Sequence, residues 1–266
     1  MNDDTGVNLD GIVKKRAGIQ SVEIGMRVLE ALADLGAPSP LAAVVRKCGL
    51  SPSQTHRYLA SLIESGMVRQ NSNGSYDLGP AALKLGMSAL ARLDIYKIAD
   101  EEIGAFSASS GTTVLVAVLG PAGPTIVRWY MGSSPVVTSL AVGSTMSLLH
   151  SATGQVFLAY RSRRETATLV ANEVDQGGDA EVDVRWVDDL ASRVRAQGCA
   201  EVGGTLIPGL NAKSFPILNL QGEALLVATI VSTARHPAKM MNKAGAELRA
   251  VCAHISSIVG GQPIHG

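Results

Sequence analysis

The chain has 266 residues, 46% of them hydrophobic, and its 23 Lys and Arg balance 23 Asp and Glu. That is enough for one small and one medium domain, each with its own core. No apolar run nears the ~20 residues needed to span a bilayer, and three scattered cysteines (Cys48, Cys199, Cys252) match neither a disulfide framework nor a metal site, which sets aside membrane and disulfide-stapled classes and points to the cytoplasm.

Residues 1–18 open with MNDDTGVNLDG, polar and acidic, without the basic-then-apolar layout of a signal peptide. They are expected to form a flexible arm, with Lys14, Lys15 and Arg16 as either a solvated tail or a contact to a nucleic-acid backbone. Ser21 is placed to cap a first helix whose Val28, Leu29, Leu32 and Leu35 share one face, closed by Gly36 and Pro38. A second short helix, Leu41 to Cys48, has Leu41, Val44, Val45 and Cys48 at helical spacing, and Gly49 supplies the turn after it. Ser51 then caps a third helix with Pro52 at its first position. Leu59, Leu62 and Ile63 form its apolar stripe, while Ser53, Gln54, His56 and Arg57 lie opposite. Gly66 ends it, and Met67–Gln70 and Ser75–Leu78 read as strands joined across Asn73-Gly74, a hairpin signal.

Three helices and a hairpin over 19–79 are the layout of a winged helix-turn-helix. In that layout the helix from Pro52 to Ser65 enters the major groove, with Ser53, Gln54, Thr55, His56 and Arg57 near its N-terminal end. A Gln54 amide can pair bidentately with adenine, and Arg57 with guanine or a phosphate. Arg69, with Asn71, Ser72 and Asn73 at the wing tip, would meet backbone or minor groove, unless the wing is an ordinary solvated turn. The charge balance fits DNA, since Gly11 to Arg92 carries ten basic residues against five acids and the remainder is acidic by the same margin. A helical protein-interaction or dimerisation module without DNA binding is the alternative.

Pro80 opens a helix with Leu83, Met87 and Leu90 on one side, expected as a linker over 80–94. Over 95–262, a helix from Ile95 to Ser109 precedes strands at Thr112–Leu119, Thr125–Tyr130 and Val136–Val142. Helices follow around Gly154–Tyr160, Glu165–Asn172 and Trp186–Ala196, then strands at Cys199–Gly203, Ala212–Leu218 and Ala224–Val231, and a last helix from Ala238 to Ile258. Two runs of strands with hairpins inside each argue for an α+β domain on a largely antiparallel sheet.

The segments IQSVEIGMRVLEAL, CGLSPSQTHRYLASLIESGMV and NSNGSYDLGPAALKLG, with a later SATGQVFLA and PGLNAKSFPI, resemble the IclR family of bacterial transcription regulators. The resemblance spans nearly the whole chain and is most specific in the first eighty residues. It implies a winged helix-turn-helix joined by a linker helix to a GAF-like effector-binding domain. It also implies homodimers or dimers of dimers (homotetramers) on palindromic double-stranded DNA, released or tightened by a small organic acid or related metabolite, with no cofactor, metal or membrane. Ser151 to Gln155 opens a helix with small residues that let a ligand approach backbone N–H groups, and it matches the family's ligand-facing segment, with Gln155 in place of the usual Lys. The implied effector-binding residues are Met146, Ala152, Thr153 and Gly154 on one side and Ala212, Ser214, Thr229 and Val231 on the other. Val202 and Ala212 stand where relatives carry an acid and a Cys, which makes the pocket less polar. Lys213 and Arg128 point either to an effector carboxylate or to solvent.

Catalysis finds no footing. His150 adjoins Ser151, but no carboxylate stands at a spacing that would orient the His, and the five histidines are scattered. There is no Gly-x-Ser-x-Gly elbow and no Walker-type loop. The sequence is expected to encode a ligand-responsive DNA-binding regulator and no enzyme; an enzyme fused to a winged helix would have to turn its ligand over.

Overall fold

The computed structural model describes residues 18–133, 136, 138–177, 183–204, 208–233 and 238–261, so the expected arm, with Lys14, Lys15 and Arg16, lies outside the described residues apart from Gly18. The chain divides between Arg92 and Leu93 into two compact units.

In the first unit, α1 (Gln20–Asp34), α2 (Leu41–Cys48) and α3 (Pro52–Glu64) bury Val28, Leu29, Leu32, Val44 and Leu59 in one core. Two expectations fail locally. Ile19, not Ser21, occupies the N-cap of α1, and it caps without a side-chain bond. The first turn already begins there, with Val22 N–H donating to the Ile19 carbonyl at 2.9 Å, which leaves Ser21 inside the helix. Ile63 is 36% exposed, because a position next to Leu62 is rotated about 100° from it around the axis.

β1 (Val68–Gln70) and β2 (Tyr76–Leu78) form the wing, with Arg69 opposite Asp77. Its tip differs from a two-residue Asn-Gly turn. Asn71 N–H donates to the Ser75 carbonyl at 2.8 Å and Gly74 N–H to the Asn71 carbonyl at 2.9 Å, and among the described residues of the tip only Gly74 has a positive φ, 82°. This is a three-residue loop with glycine in its left-handed slot, a conformation that costs a residue without Cβ little. α4 (Pro80–Leu90) ends short of the linker expected over 80–94 and leaves Leu83 66%, Leu85 65% and Met87 62% exposed within this unit.

The second unit is α+β, built on a five-stranded sheet in the order β4-β3-β7-β6-β5, antiparallel throughout. The strands are β3 (Thr113–Gly120), β4 (Gly123–Tyr130), β5 (Ala200–Gly203), β6 (Leu210–Leu218) and β7 (Ala224–Thr233). One face packs on α6 (Ala152–Tyr160) and α8 (Val184–Gln197), the other on α5 (Ile95–Ser110) and α9 (Ala238–Ile258). Burial on both faces explains why β3 reads as an unbroken apolar run, TVLVAVL, rather than an alternation. α7 (Arg163–Gly177) sends Leu169, Val170 and Val174 to the first of these cores.

The expected strand at Val136–Val142 is not one among its described residues. Instead the chain comes back along β4 further on. Ile126 N–H donates to the Ser144 carbonyl at 3.0 Å, Met146 N–H to the Pro124 carbonyl at 2.8 Å, and Thr125 bridges to Thr145. Val136 and Leu140 meet the core as single anchors, so the described residues of this run are pinned by side chains. No helix among the described residues is long and apolar enough to cross a membrane.

Candidate functional site

Two places gather the expected residues. The first is the exposed start of α3. Ser51 Oγ accepts from the Gln54 N–H at 3.3 Å and lies 3.2 Å from Gln54 Oε1, to which it donates, so Gln54 helps to close the helix and keeps its amide NH2 group outward. Ser53, Gln54, His56 and Arg57 are exposed. Thr55 is not: it is fully buried, its Oγ1 donating to the Ser51 carbonyl at 3.0 Å and lying 3.6 Å from Cys48 Sγ. Thr55 therefore joins α3 to α2 and has no path to a groove, a correction to its expected role.

On the wing, Arg69 Nη2 lies 2.7 Å from Asp77 Oδ2 across the strand pair. That hydrogen bond holds the Asp77 carboxyl below the usual carboxylate range, and it orients the guanidinium along the wing. Asn73 Oδ1 accepts from the Ser75 hydroxyl at 2.7 Å and from its N–H at 3.1 Å, while Asn71 Nδ2 donates to Ser75 Oγ at 3.1 Å. Asn71 is half-buried and Ser72 and Asn73 are exposed. The tip is thus a braced loop that offers Ser72 and one amide group outward.

The second place is a small cavity of about 50 Å³ between the sheet and the start of α6. Ser151, Ala152 and Thr153 line it from α6, and Ala212, Thr229 and Val231 from the strands, joined by Met146 above. Six of the eight expected effector residues meet there. The other two do not line it. Ser214 is fully buried beneath Thr229, and Gly154 faces the chain behind it. A Cβ on Gly154 would stand 2.5 Å from Leu148 Cα and O and closer still to the Ser147 carbonyl. Its N–H is also taken, by Ser151 Oγ at 2.9 Å. Glycine there serves backbone packing and not ligand access.

Val202, expected at the pocket, lines it together with Leu115, Leu140 and Leu210, and sequence reasoning did not select the last three. Only the pairing of strands brings Leu115 beside Thr229 and Val202 beside Ala212. A further missed residue is Glu173, on α7. It accepts from Ser147 Oγ and from the N–H groups of Leu148, at 2.7 Å, and Leu149, at 3.4 Å. These bonds fix the turn between Met146 and α6. Glu173→Ala leaves these donors without their acceptor and is expected to cost about 1–2 kcal/mol, a fall of roughly 3–6 °C in Tm for a unit of this size. Thermal denaturation followed by circular dichroism measures it, and an unchanged Tm would mean that the turn holds itself without α7.

Lys213 lies on the opposite face of the sheet from the cavity. Its Nζ is 2.9 Å from Glu201 Oε2 and its stem runs past Gly245 of α9, so it does not reach an effector. Arg128 pairs with Asp100 of α5 at 2.9 Å. Tyr130 donates to the same carboxylate at 2.6 Å, and these bonds, Tyr130's first, draw the Asp100 pKa down. Ser151 Oγ, committed to Gly154 N–H and the Ser147 carbonyl, is a helix cap. Among the described residues no group of three or more His, Cys, Asp and Glu could hold a metal ion.

Comparison with known proteins agrees with this geometry. Residues 21–72 match the model of the IclR helix-turn-helix domain, and 87–257 match that of the bacterial transcriptional regulator IclR C-terminal domain. The DNA-binding transcriptional repressor YiaJ of Escherichia coli (strain K12) is 28% identical over 84% of this chain and 81% of its own. The transcriptional repressor IclR of the same strain is 27% identical, over 57% of each chain. Among solved structures, Pseudomonas aeruginosa HmgR superposes with a TM-score of 0.78 at 33% identity, covering 91% of this chain and 99% of that one.

Proposed function

The chain belongs to the IclR family of bacterial transcriptional regulators, and we propose that it binds a palindromic operator through its first unit and a small organic acid through its second. Ser53, Gln54, His56 and Arg57 read or clamp DNA from α3, and Arg69, Asn71, Ser72 and Asn73 contact it from the wing. The observation that carries this reading is the exposed polar face at the start of α3, on a helix whose other face is buried. Positive side chains there and on the wing release counterions when they meet phosphates.

The cavity under Met146 and Leu140 receives the effector. An effector biases operator binding by the difference between its affinities for two arrangements of the protein. Those arrangements belong to a homodimer or a dimer of dimers. Support comes from the apolar side chains left uncovered on α1 (Val22, Met26) and α4 (Leu83, Leu85, Met87), a surface of the kind that marks protein contacts. The protein acts in the cytoplasm and turns nothing over.

Fluorescence anisotropy with DNA from upstream of its own gene tests this reading, at two salt concentrations and with unrelated competitor. Saturable, competitor-resistant binding that weakens steeply with salt is expected. Affinity no better than for the competitor, with and without organic acids, would overturn it.

A further inference from the structure

The face of the sheet opposite the small cavity carries a second, larger cleft. It lies where the end of α5, the start of β3, the end of β7 and the first turns of α9 meet, with a volume of about 550 Å³. Small-molecule pockets run from about 300 to 1,000 Å³. Among the described residues, Val231 is the one that lines both the cleft and the small cavity. Side chains alternate along a strand, so the next residue, Ser232, points with Ile230 to the face that α5 and α9 cover.

Ser232 makes this more than a surface groove. It lines the cleft and is only 3% exposed, yet its Oγ has no hydrogen-bond partner among the described residues. A buried hydroxyl in that state costs stability, and proteins keep few of them. A ligand that reaches the floor of the cleft supplies the missing partner.

The hydroxyls of the wall define the ligand. The run SASSGTT, Ser107 to Thr113, crosses from α5 into β3 and brings Ser109, Ser110 and Thr113 to the lining, with Ser133 beside Gly111. Ser109 Oγ donates to the Phe106 carbonyl at 3.1 Å and Ser133 Oγ to the Gly111 carbonyl at 3.2 Å, so each has lone pairs left to offer. Ser110 Oγ accepts from the Thr112 N–H at 3.3 Å and Thr113 Oγ1 from the Gly132 N–H at 3.0 Å, so each has a proton left to give. Donors and acceptors thus stand together on one wall. A ligand hydroxyl answers both, whereas a carboxylate or phosphate only accepts and an ammonium only donates. Charge agrees. The exposed Lys243 Nζ and Glu247 Oε1 lie 3.8 Å apart, so an ion drawn to one is repelled by the other. Val136, Met241 and Ala244 add an apolar patch that fits the C–H face of a ring.

We propose that this cleft binds a neutral polyhydroxylated molecule, a sugar or polyol, one hydroxyl of which pairs with Ser232 Oγ. It is a second small-molecule site, distinct from the cavity at α6.

Saturation-transfer NMR followed by isothermal titration calorimetry of the full chain tests this with glycerol, xylose, glucose, myo-inositol and maltose, against the charged counterparts glucosamine and glucose 6-phosphate. At least one neutral probe is expected to saturate one site per protomer and to bind more tightly than the charged ones. Ser109→Tyr, which fills the cleft from an exposed helical position, and Ser232→Ala are each expected to weaken that binding about tenfold or more. Without ligand, the Tm of Ser232→Ala is expected to equal or exceed the wild type, because the variant loses a buried hydroxyl that nothing satisfied. A fall in that Tm would show the hydroxyl to be structural and overturn the assignment. So would silence from every neutral probe, tighter binding of a charged counterpart at this site, or binding that either folded variant leaves unchanged.

Discussion

Gly154→Ala is expected to lower the Tm of the full chain by roughly 6–12 °C, from a loss of about 3 kcal/mol or more. The atoms its Cβ would strike are main-chain atoms of Ser147 and Leu148, which cannot rotate away as a flexible side chain would. Those same residues are held by Glu173, so relief by backbone shift also loosens the turn over the cavity. Differential scanning calorimetry measures the effect, and a shift under about 2 °C would show that the close approach relaxes freely. Operator binding separates this from a defect in reading DNA. At temperatures where the variant stays folded, its ligand-free affinity for DNA is expected to match the wild type.

Arg57→Ala is expected to cut operator affinity about tenfold to a hundredfold, or about 1–3 kcal/mol. Which contact it makes shows in the pattern of loss. A phosphate clamp weakens all sequences alike and reduces the salt slope by about one, whereas a guanine contact relaxes specificity at a single base pair. Gln54→Ala is expected to lose discrimination at an adenine together with part of the helix cap, because Gln54 also receives the Ser51 hydroxyl. Thr55→Val provides the contrast. Thr55 is buried, with its hydroxyl bonded to the Ser51 carbonyl, so the substitution is expected to lower stability without changing which bases are read. Anisotropy titrations of the three variants on matched operator and mutant operators check this, and an Arg57→Ala protein that binds as the wild type does would remove α3 from the interface.

The sequence carried most of the architecture because most of its signals are local. α2 and α9 begin and end at the residues their spacing and breakers indicate, and the wing follows from Asn73-Gly74 between two short strand segments. What escaped depends on partners distant in the chain. Val136–Val142 has strand composition, but whether it forms a ladder is decided by what β4 accepts on its free edge, and that edge is taken by Ser144 to Met146. Thr55 sits among polar residues whose side chains look alike on paper; only the 3.6-residue turn and the approach of Cys48 put it inside. Glu173 lies on α7 among polar neighbours, and nothing near it in sequence tells of the Ser147 turn it holds. The cavity shows the same division: its α6 rim was visible as a run of small residues, while Leu115 enters by strand pairing alone.

The edges of the sheet have a consequence for how the protein behaves beside copies of itself. β5, at one edge, is four residues long and carries Glu201, a short charged rim that offers a stray strand little to pair with. The other edge, β4, is eight residues long and partly apolar. It is shielded by the bonds that Gly143 and Ser144 make with Ile126 and Met146 with Pro124. Those bonds belong to the stretch that carries Met146 to the cavity, so a substitution that displaced it would bare a row of backbone donors and acceptors on β4. Covering that edge is one of the ways proteins keep a sheet from pairing with another chain.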